Sequence, residues 1–269
     1  GDESPKHGVL FSLFDVHTEL IERGRAADLQ QWYTVPRVIP RSLRYFTASL
    51  ALPFCLLWGC TTRHHSPPAS EVTPPVGMVY IPAGEFMTGS ERFADDPSVG
   101  PLRKVSLPAF FIDRTEMSNA QVKAVWSDHQ FPKGEENYPA VGLSWNQAVE
   151  VLARVDKRLP SALEWEKAAR GTDGRIYPWG NEPVFEGRAH VGTPRENPTC
   201  GWGQLLEVTA LEDGAGPFGL LNTLGNAWEW VGDEPTSARP YHLIKGGAYG
   251  YSEQYNRLDN VSFEQPGAT

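Results

Sequence analysis

The chain has 269 residues, 40% of them hydrophobic, and a formal net charge of −9. That is enough apolar material for one large domain with appendages, and too acidic to favour nucleic acid, whose phosphates reward clustered Lys and Arg. Three cysteines, Cys55, Cys60 and Cys200, are too few and odd in number for a disulfide framework and lack the CxxC spacing of a zinc site. Cys200 reads as a small buried hydrophobe. Gly 26 and Pro 23 point to a loop-rich domain rather than a helix bundle.

Charge is uneven along the chain: residues 1–70 hold 7 basic and 6 acidic side chains, the remainder 17 and 27. Residues 1–40 carry no assignable function, although Phe11–Arg25 has the spacing of a short amphipathic helix. Arg41-Ser-Leu-Arg44 precedes an uncharged run, YFTASLALPFCLLWG, which at 15 residues falls short of the ~20 needed to span a bilayer as a helix. A basic flank before a short apolar core has the form of a signal peptide over residues 41–60. The run ends Leu57-Trp58-Gly59-Cys60, which resembles the cleavage box of bacterial lipoproteins. That resemblance implies lipidation of Cys60 as the mature N-terminus. With Thr61 rather than Asp next, it also implies sorting to the outer membrane. Residues 61–75, TTRHHSPPASEVTPP, form a polar, Pro-rich tether. His64 and His65 have no further ligand nearby and belong to the tether.

A globular domain is expected over residues 76–269. MVYIPAGEF alternates and is β-rich, so it reads as a strand and hairpin around Pro82-Ala-Gly84. FFIDRTEMSNAQVKAVW reads as a strand running into a helix capped by Ser118, with Gln121 three residues on. Ser144 caps a helix through Leu152. Ser161-Ala-Leu-Glu164 is a capping box opening a helix that Gly171 closes. Residues 175–219 show little periodicity and read as loop. HLIKGGAYGY reads as a strand with a glycine break.

The segment GLLNTLGNAWEW (Gly219–Trp230) is neither a regular helix nor a strand pattern. Gly225-Asn226 is a turn signal, because both residues tolerate positive φ. A turn of main-chain oxygens beside an Asn amide and a Glu carboxylate offers oxygen ligands only. That suits a hard cation such as calcium rather than zinc or copper. Taken alone, the segment reads first as a hydrogen-bonded turn pinned by two core tryptophans, and the cation reading comes second.

GMVYIPAGEFMTGS, FFIDRTEMSNAQ, YPAVGLSWNQAVEVL, KRLPSALEWEKAARG, YPWGN, GLLNTLGNAWEW and IKGGA occur in this order between Gly77 and Ala248. Together they resemble the formylglycine-generating enzyme family, or sulfatase-modifying factor family, over residues 76–269. The resemblance implies an α+β, C-type-lectin-like fold, loop-rich and low in regular secondary structure. It also implies a calcium site formed by the side chains of Asn222 and Glu229 and the carbonyls of Gly225 and Ala227. In the family, cysteine-to-formylglycine conversion depends on two copper-binding cysteines shortly after the glycine pair matched by Gly246-Gly247. Those positions fall on Tyr251 and Asn256, neither a thiol, whereas Cu(I) prefers sulfur. No copper and no formylglycine-generating activity are therefore expected. A second family calcium site would fall near His190-Val191 and Glu212-Asp213-Gly214, where the match is poor.

Other catalytic patterns are weak. Gly142-Leu-Ser144-Trp-Asn lacks the second Gly of a nucleophile elbow, and no HExxH spacing occurs. Relatives of the fold that act as iron-dependent sulfoxide synthases draw His ligands from a separate helical domain, for which the first 75 residues are too short. Trp165, Trp179, Trp228 and Trp230 read as core, and Arg158 and Arg170 as ion-pair or loop-carbonyl anchors. Asp95-Asp96 and Glu135-Glu136 read as solvated charges. The expectation is a non-catalytic domain of a bacterial envelope lipoprotein, membrane-anchored by lipid, with no catalytic residue, which binds or scaffolds an envelope protein or glycan. The alternative is a metal-dependent oxidase or maturase of a periplasmic protein or peptide, with Tyr251 among non-thiol ligands. A third reading is a lectin-like module with its specificity in the loop Gly247–Gln265.

Overall fold

A computed structural model describes residues 72–95, 99–192, 205–234, 241–251 and 256–264, and the backbone of residues 6–13. The signal-peptide-like segment 41–60 with Cys55 and Cys60, tether residues 61–71, Asp96 and Cys200 lie outside the described residues.

Among the described residues the strands are β1 (Lys6–Leu13), β2 (Met78–Ile81), β3 (Gly84–Thr88), β4 (Arg103–Leu107), β5 (Phe110–Glu116), β6 (Trp228–Trp230), β7 (His242–Lys245) and β8 (Ser262–Glu264). The helices are α1 (Asn119–Val125), α2 (Trp145–Ala153) and α3 (Ala162–Arg170). One sheet runs β2-β5-β1-β6-β7-β8, and β3 and β4 form a separate pair. Short helices, short strands and long connections make this the loop-rich α+β domain expected from the glycine and proline content.

Three local expectations change. Gly219–Trp230 reads as neither helix nor strand, but its end, Trp228–Trp230, is strand β6, because its backbone pairs with β1 and β7. Strands β2 and β3 do not pair with each other: β2 pairs with β5 and β3 with β4. Pro82 lacks an N–H and Gly84 sits at φ +135, so the chain turns out of one sheet into the other. Phe11–Leu13 is strand rather than the start of an amphipathic helix, and residues 14–25 lie outside the described residues. β1 runs parallel to β5, with Lys6 opposite Phe110, and antiparallel to β6, with Ser12 opposite Glu229. The facing edges of β5 and β6 each present backbone donors and acceptors that a strand satisfies and a helix does not.

All three helices begin with complete capping boxes. Ser118, Ser144 and Ser161 each accept from the backbone N–H three residues on, and Gln121, Gln147 and Glu164 return the bond. Each cap contributes about 1 kcal/mol. Gly171 closes α3 at φ 77, in the left-handed region that favours glycine.

Alternation along β6 and β7 divides the core in two. Trp228, Trp230 and Ile244 join a cluster with Val151 and Leu152 of α2. His242 stacks on Trp145 at 4.0 Å. Glu229 and Lys245 point the other way, toward Trp165 of α3. Trp165 belongs to a second cluster with Ile81, Phe110, Ile112, Leu220 and Leu224. A period of two thus turns the sequence Trp-Glu-Trp into two core anchors on one face and a buried carboxylate on the other. Trp179 is only partly buried and stacks on Tyr177 at the periphery of the second cluster. Arg158 pairs with Glu164, and Arg170 with Glu166 and the carbonyls of Gly89 and Gly174, as anchors should.

Candidate cation site and the closed thiol positions

The turn between Gly219 and β6 is held by backbone conformations few residues adopt. Asn222, Gly225 and Asn226 lie at φ 52, 82 and 58, the last two as the Gly-Asn pair predicts. A side chain at Gly225 would place its Cβ 2.3 Å from the His190 carbonyl oxygen. That oxygen accepts from Asn226 N–H at 2.9 Å, and Gly225 N–H donates to the Gly246 carbonyl at 3.0 Å. The turn is therefore clamped between residue 190 and the glycine pair after β7.

Inside the clamp the groups are polar and buried. Glu229 is wholly buried, and its Oε2 accepts the indole N–H of Trp165 at 2.7 Å. Among the described residues its Oε1 has no hydrogen-bond partner, nor does Thr223 Oγ1. Burial first, and then repulsion from Glu116, push the Glu229 carboxyl well above the usual carboxylate range. Glu116, at the end of β5, is also wholly buried. Burial raises its pKa to about 7, against the opposing hydrogen bonds of Asn226 and Asn222.

Of the four residues implied for calcium, Asn222 bonds Glu116 and Glu229 bonds Trp165. Gly225 and Ala227 lie between them on the same turn, both buried. The Asn222 amide nitrogen donates to Glu116 Oε2, the Val208 carbonyl and the Glu207 carbonyl at 3.2, 3.1 and 3.4 Å. Among the described residues no three His, Cys, Asp or Glu side chains gather to hold a metal ion, so a cation here depends on amide and main-chain oxygens as well. Two buried carboxylates with neutral donors, one of them carrying a partnerless oxygen, fit a hard divalent cation. Glu116 and Thr223 were not singled out from the sequence. FFIDRTEM carries Asp113, Arg114 and Thr115 beside Glu116, so nothing local marked Glu116 out.

The glycine pair opens a different region. Gly246 and Gly247 have φ 93 and 79. A Cβ on Gly247 would fall 2.0 Å from Asn256 Oδ1. Asn256 is fully buried and donates its amide to the Tyr251 carbonyl at 3.1 Å. That carbonyl also accepts from Gly192 N–H at 2.9 Å, while the Tyr251 ring meets Trp228 edge-on at 5.7 Å. The two positions are tied to each other and to the core.

The Sulfatase-modifying factor enzyme 1-like domain matches residues 63–269. The chain belongs to that family. It is 30% identical over 230 residues to the formylglycine-generating enzyme of Bos taurus, covering 62% of this chain and 60% of that protein. It is 25% identical over 234 residues to a Bos taurus protein named inactive C-alpha-formylglycine-generating enzyme 2, covering 65% and 76%. The structure of PvdO from Pseudomonas aeruginosa superposes with a TM-score of 0.59 at 20% identity, covering 71% of this chain and 88% of that one. Fold and family of this sulfatase-modifying-factor-like domain thus agree with its motif order.

Proposed function

We propose that this sulfatase-modifying-factor-like domain is non-catalytic and serves a bacterial envelope lipoprotein as a calcium-stabilised binding or scaffolding module. The observation that carries this reading is the pair Tyr251 and Asn256 at the positions the family gives to its copper-binding cysteines. A phenol and a carboxamide offer no soft donor, and here the amide is buried and spent on the Tyr251 carbonyl. A family that includes members named inactive supports the same reading. Asn222 and Glu229 side chains with the Gly225 and Ala227 carbonyls would hold the calcium. Its chemistry there is charge neutralisation of a carboxylate in a region that excludes water. The lipid anchor would be Cys60, and the partner an envelope protein or glycan.

The test uses the full chain with a sulfatase-derived Cys-x-Pro-x-Arg peptide, copper and oxygen. The peptide mass should stay unchanged. Conversion of the thiol to the aldehyde would overturn the reading. So would stoichiometric copper or iron accompanied by oxygen consumption, which favours a metal-dependent oxidase or maturase instead.

A further inference from the structure

Trp165 occupies one oxygen of Glu229, which leaves the other for a ligand. The indole N–H bonds Oε2 at 2.7 Å, and among the described residues Oε1 has no hydrogen-bond partner. Lys245 stands opposite Glu229 across β6 and β7, but its ammonium bonds Glu166 at 3.2 Å instead. Thr223 is wholly buried as well. Among the described residues its hydroxyl has no partner, and no backbone N–H donates to its carbonyl. Two buried residues thus carry oxygens that the fold leaves unsatisfied, at a cost that a bound group would relieve.

The Thr223 carbonyl and Glu229 Oε1 border the place where Gly246 has no side chain. A Cβ there would lie 3.4 Å from the Thr223 carbonyl oxygen, 3.4 Å from Cζ2 of Trp165 and 3.8 Å from Glu229 Oε1. Those are ordinary contact distances, so the glycine leaves room for about one methyl group beside two oxygens. The next glycine differs: a Cβ on Gly247 would run into Asn256 Oδ1 at 2.0 Å. Gly246 is also fastened to the turn, since its carbonyl accepts from Gly225 N–H at 3.0 Å. Oxygen donors without nitrogen or sulfur suit a hard cation, which calcium sites commonly supplement with backbone carbonyls.

We propose that the calcium ion stands on the Gly246 side of the turn, bonded to Glu229 Oε1 and to the Thr223 carbonyl as a further ligand. Gly246 is then a positioning residue, whose missing side chain keeps the place open. The inference rests on the calcium reading of Asn222, Gly225, Ala227 and Glu229, and adds to it one ligand and the strand end that walls the ion. A buried water is the competing occupant, because its two protons could serve the same two acceptors.

The test is calcium titration of the full chain by calorimetry, for the native protein, Gly246→Ala and Gly250→Ala. The native titration comes first: if it shows no calcium uptake, the calcium reading fails and this proposal with it. The methyl at residue 246 takes the place of the ion, so affinity should fall at least ~10-fold, equivalent to about 1.4 kcal/mol. Gly250→Ala carries similar backbone strain, at φ 80 against 93, with nothing within 4 Å of its Cβ, and should bind as the native chain does. Unchanged affinity in Gly246→Ala means that the space holds only water and overturns the proposal while leaving the calcium reading intact. An equal fall in both variants also overturns it, because strain alone then accounts for the loss. If Gly246→Ala does not fold, a crystal of the native chain grown in calcium decides. The ion should lie about 2.3–2.6 Å from both Glu229 Oε1 and the Thr223 carbonyl oxygen. An ion bonded elsewhere on the turn and out of reach of that carbonyl contradicts the assignment.

Discussion

Trp165 donates its indole N–H to Glu229 at 2.7 Å, and both side chains are wholly buried. The bond joins α3 to β6 across 64 positions of sequence, and among the described residues the other oxygen of that carboxylate has no hydrogen-bond partner. Trp165→Phe retains a ring in the second core cluster and deletes only the donor. A buried group stripped of its partner costs its full desolvation, so stability should fall by about 3 kcal/mol. Urea denaturation measures this. A loss below ~0.5 kcal/mol, the range of ordinary surface substitutions, would show that the carboxylate does not depend on the indole.

Gly247 and Gly250 share nearly the same φ, 79 and 80, but not the same surroundings. At Gly247 an added Cβ would lie 2.0 Å from Asn256 Oδ1, whereas at Gly250 nothing stands within 4 Å. Gly250→Ala should cost only the left-handed strain, about 1 kcal/mol. Gly247→Ala must also displace a fully buried amide and break its bond to Tyr251, so a loss of about 3 kcal/mol is expected. Equal losses in urea melts of the two variants would mean that Asn256 yields freely.

Glu164 governs the acid side of stability. Burial raises its pKa, but bonds from Arg158 at 2.7 and 2.8 Å and from Ser161 N–H at 2.8 Å outweigh burial and hold it below the usual carboxylate value. With the folded pKa depressed, the unfolded chain binds more protons as pH falls. The stabilisation is present above the unfolded carboxylate pKa, near ~4.3, and is lost as pH drops through the folded value. Glu164→Gln should lower stability at pH 7 by about 1–2 kcal/mol. It should also flatten the fall in melting temperature between pH 5 and 3. A parallel fall in variant and native protein would place the acid sensitivity elsewhere.

The proposed cleavage before Cys60 would remove the strand Lys6–Leu13 from the sheet. Cys60→Ser should leave an uncleaved precursor in the bacterial envelope, and normal processing of that variant would contradict lipidation at Cys60. In the intact chain, amides along β1 should exchange slowly, because they lie between β5 and β6. The intact chain should also melt several degrees, roughly 5 °C, above the processed one. Identical melts would mean that β1 adds nothing to the sheet.

The local elements were legible because their causes are local. Each serine cap with Gln or Glu three residues on specifies a helix start. The Gly225-Asn226 pair specifies its turn, and Trp228 and Trp230 read as core, although the strand that puts both rings on one face did not show in the sequence. Long-range partners were not legible, since nothing near Glu116 in sequence shows that Asn222 and Asn226 will meet it. Nor does MVYIPAGEF show that its two strands belong to different sheets, or Phe11–Leu13 that strand pairing overrides a helical period. Those outcomes depend on which backbone edges and buried charges the folded chain brings side by side. Periodicity and capping reach only a few residues, whereas desolvation and sheet pairing are settled between segments far apart in the chain, as Met78 with Asp113 and Glu116 with Asn226.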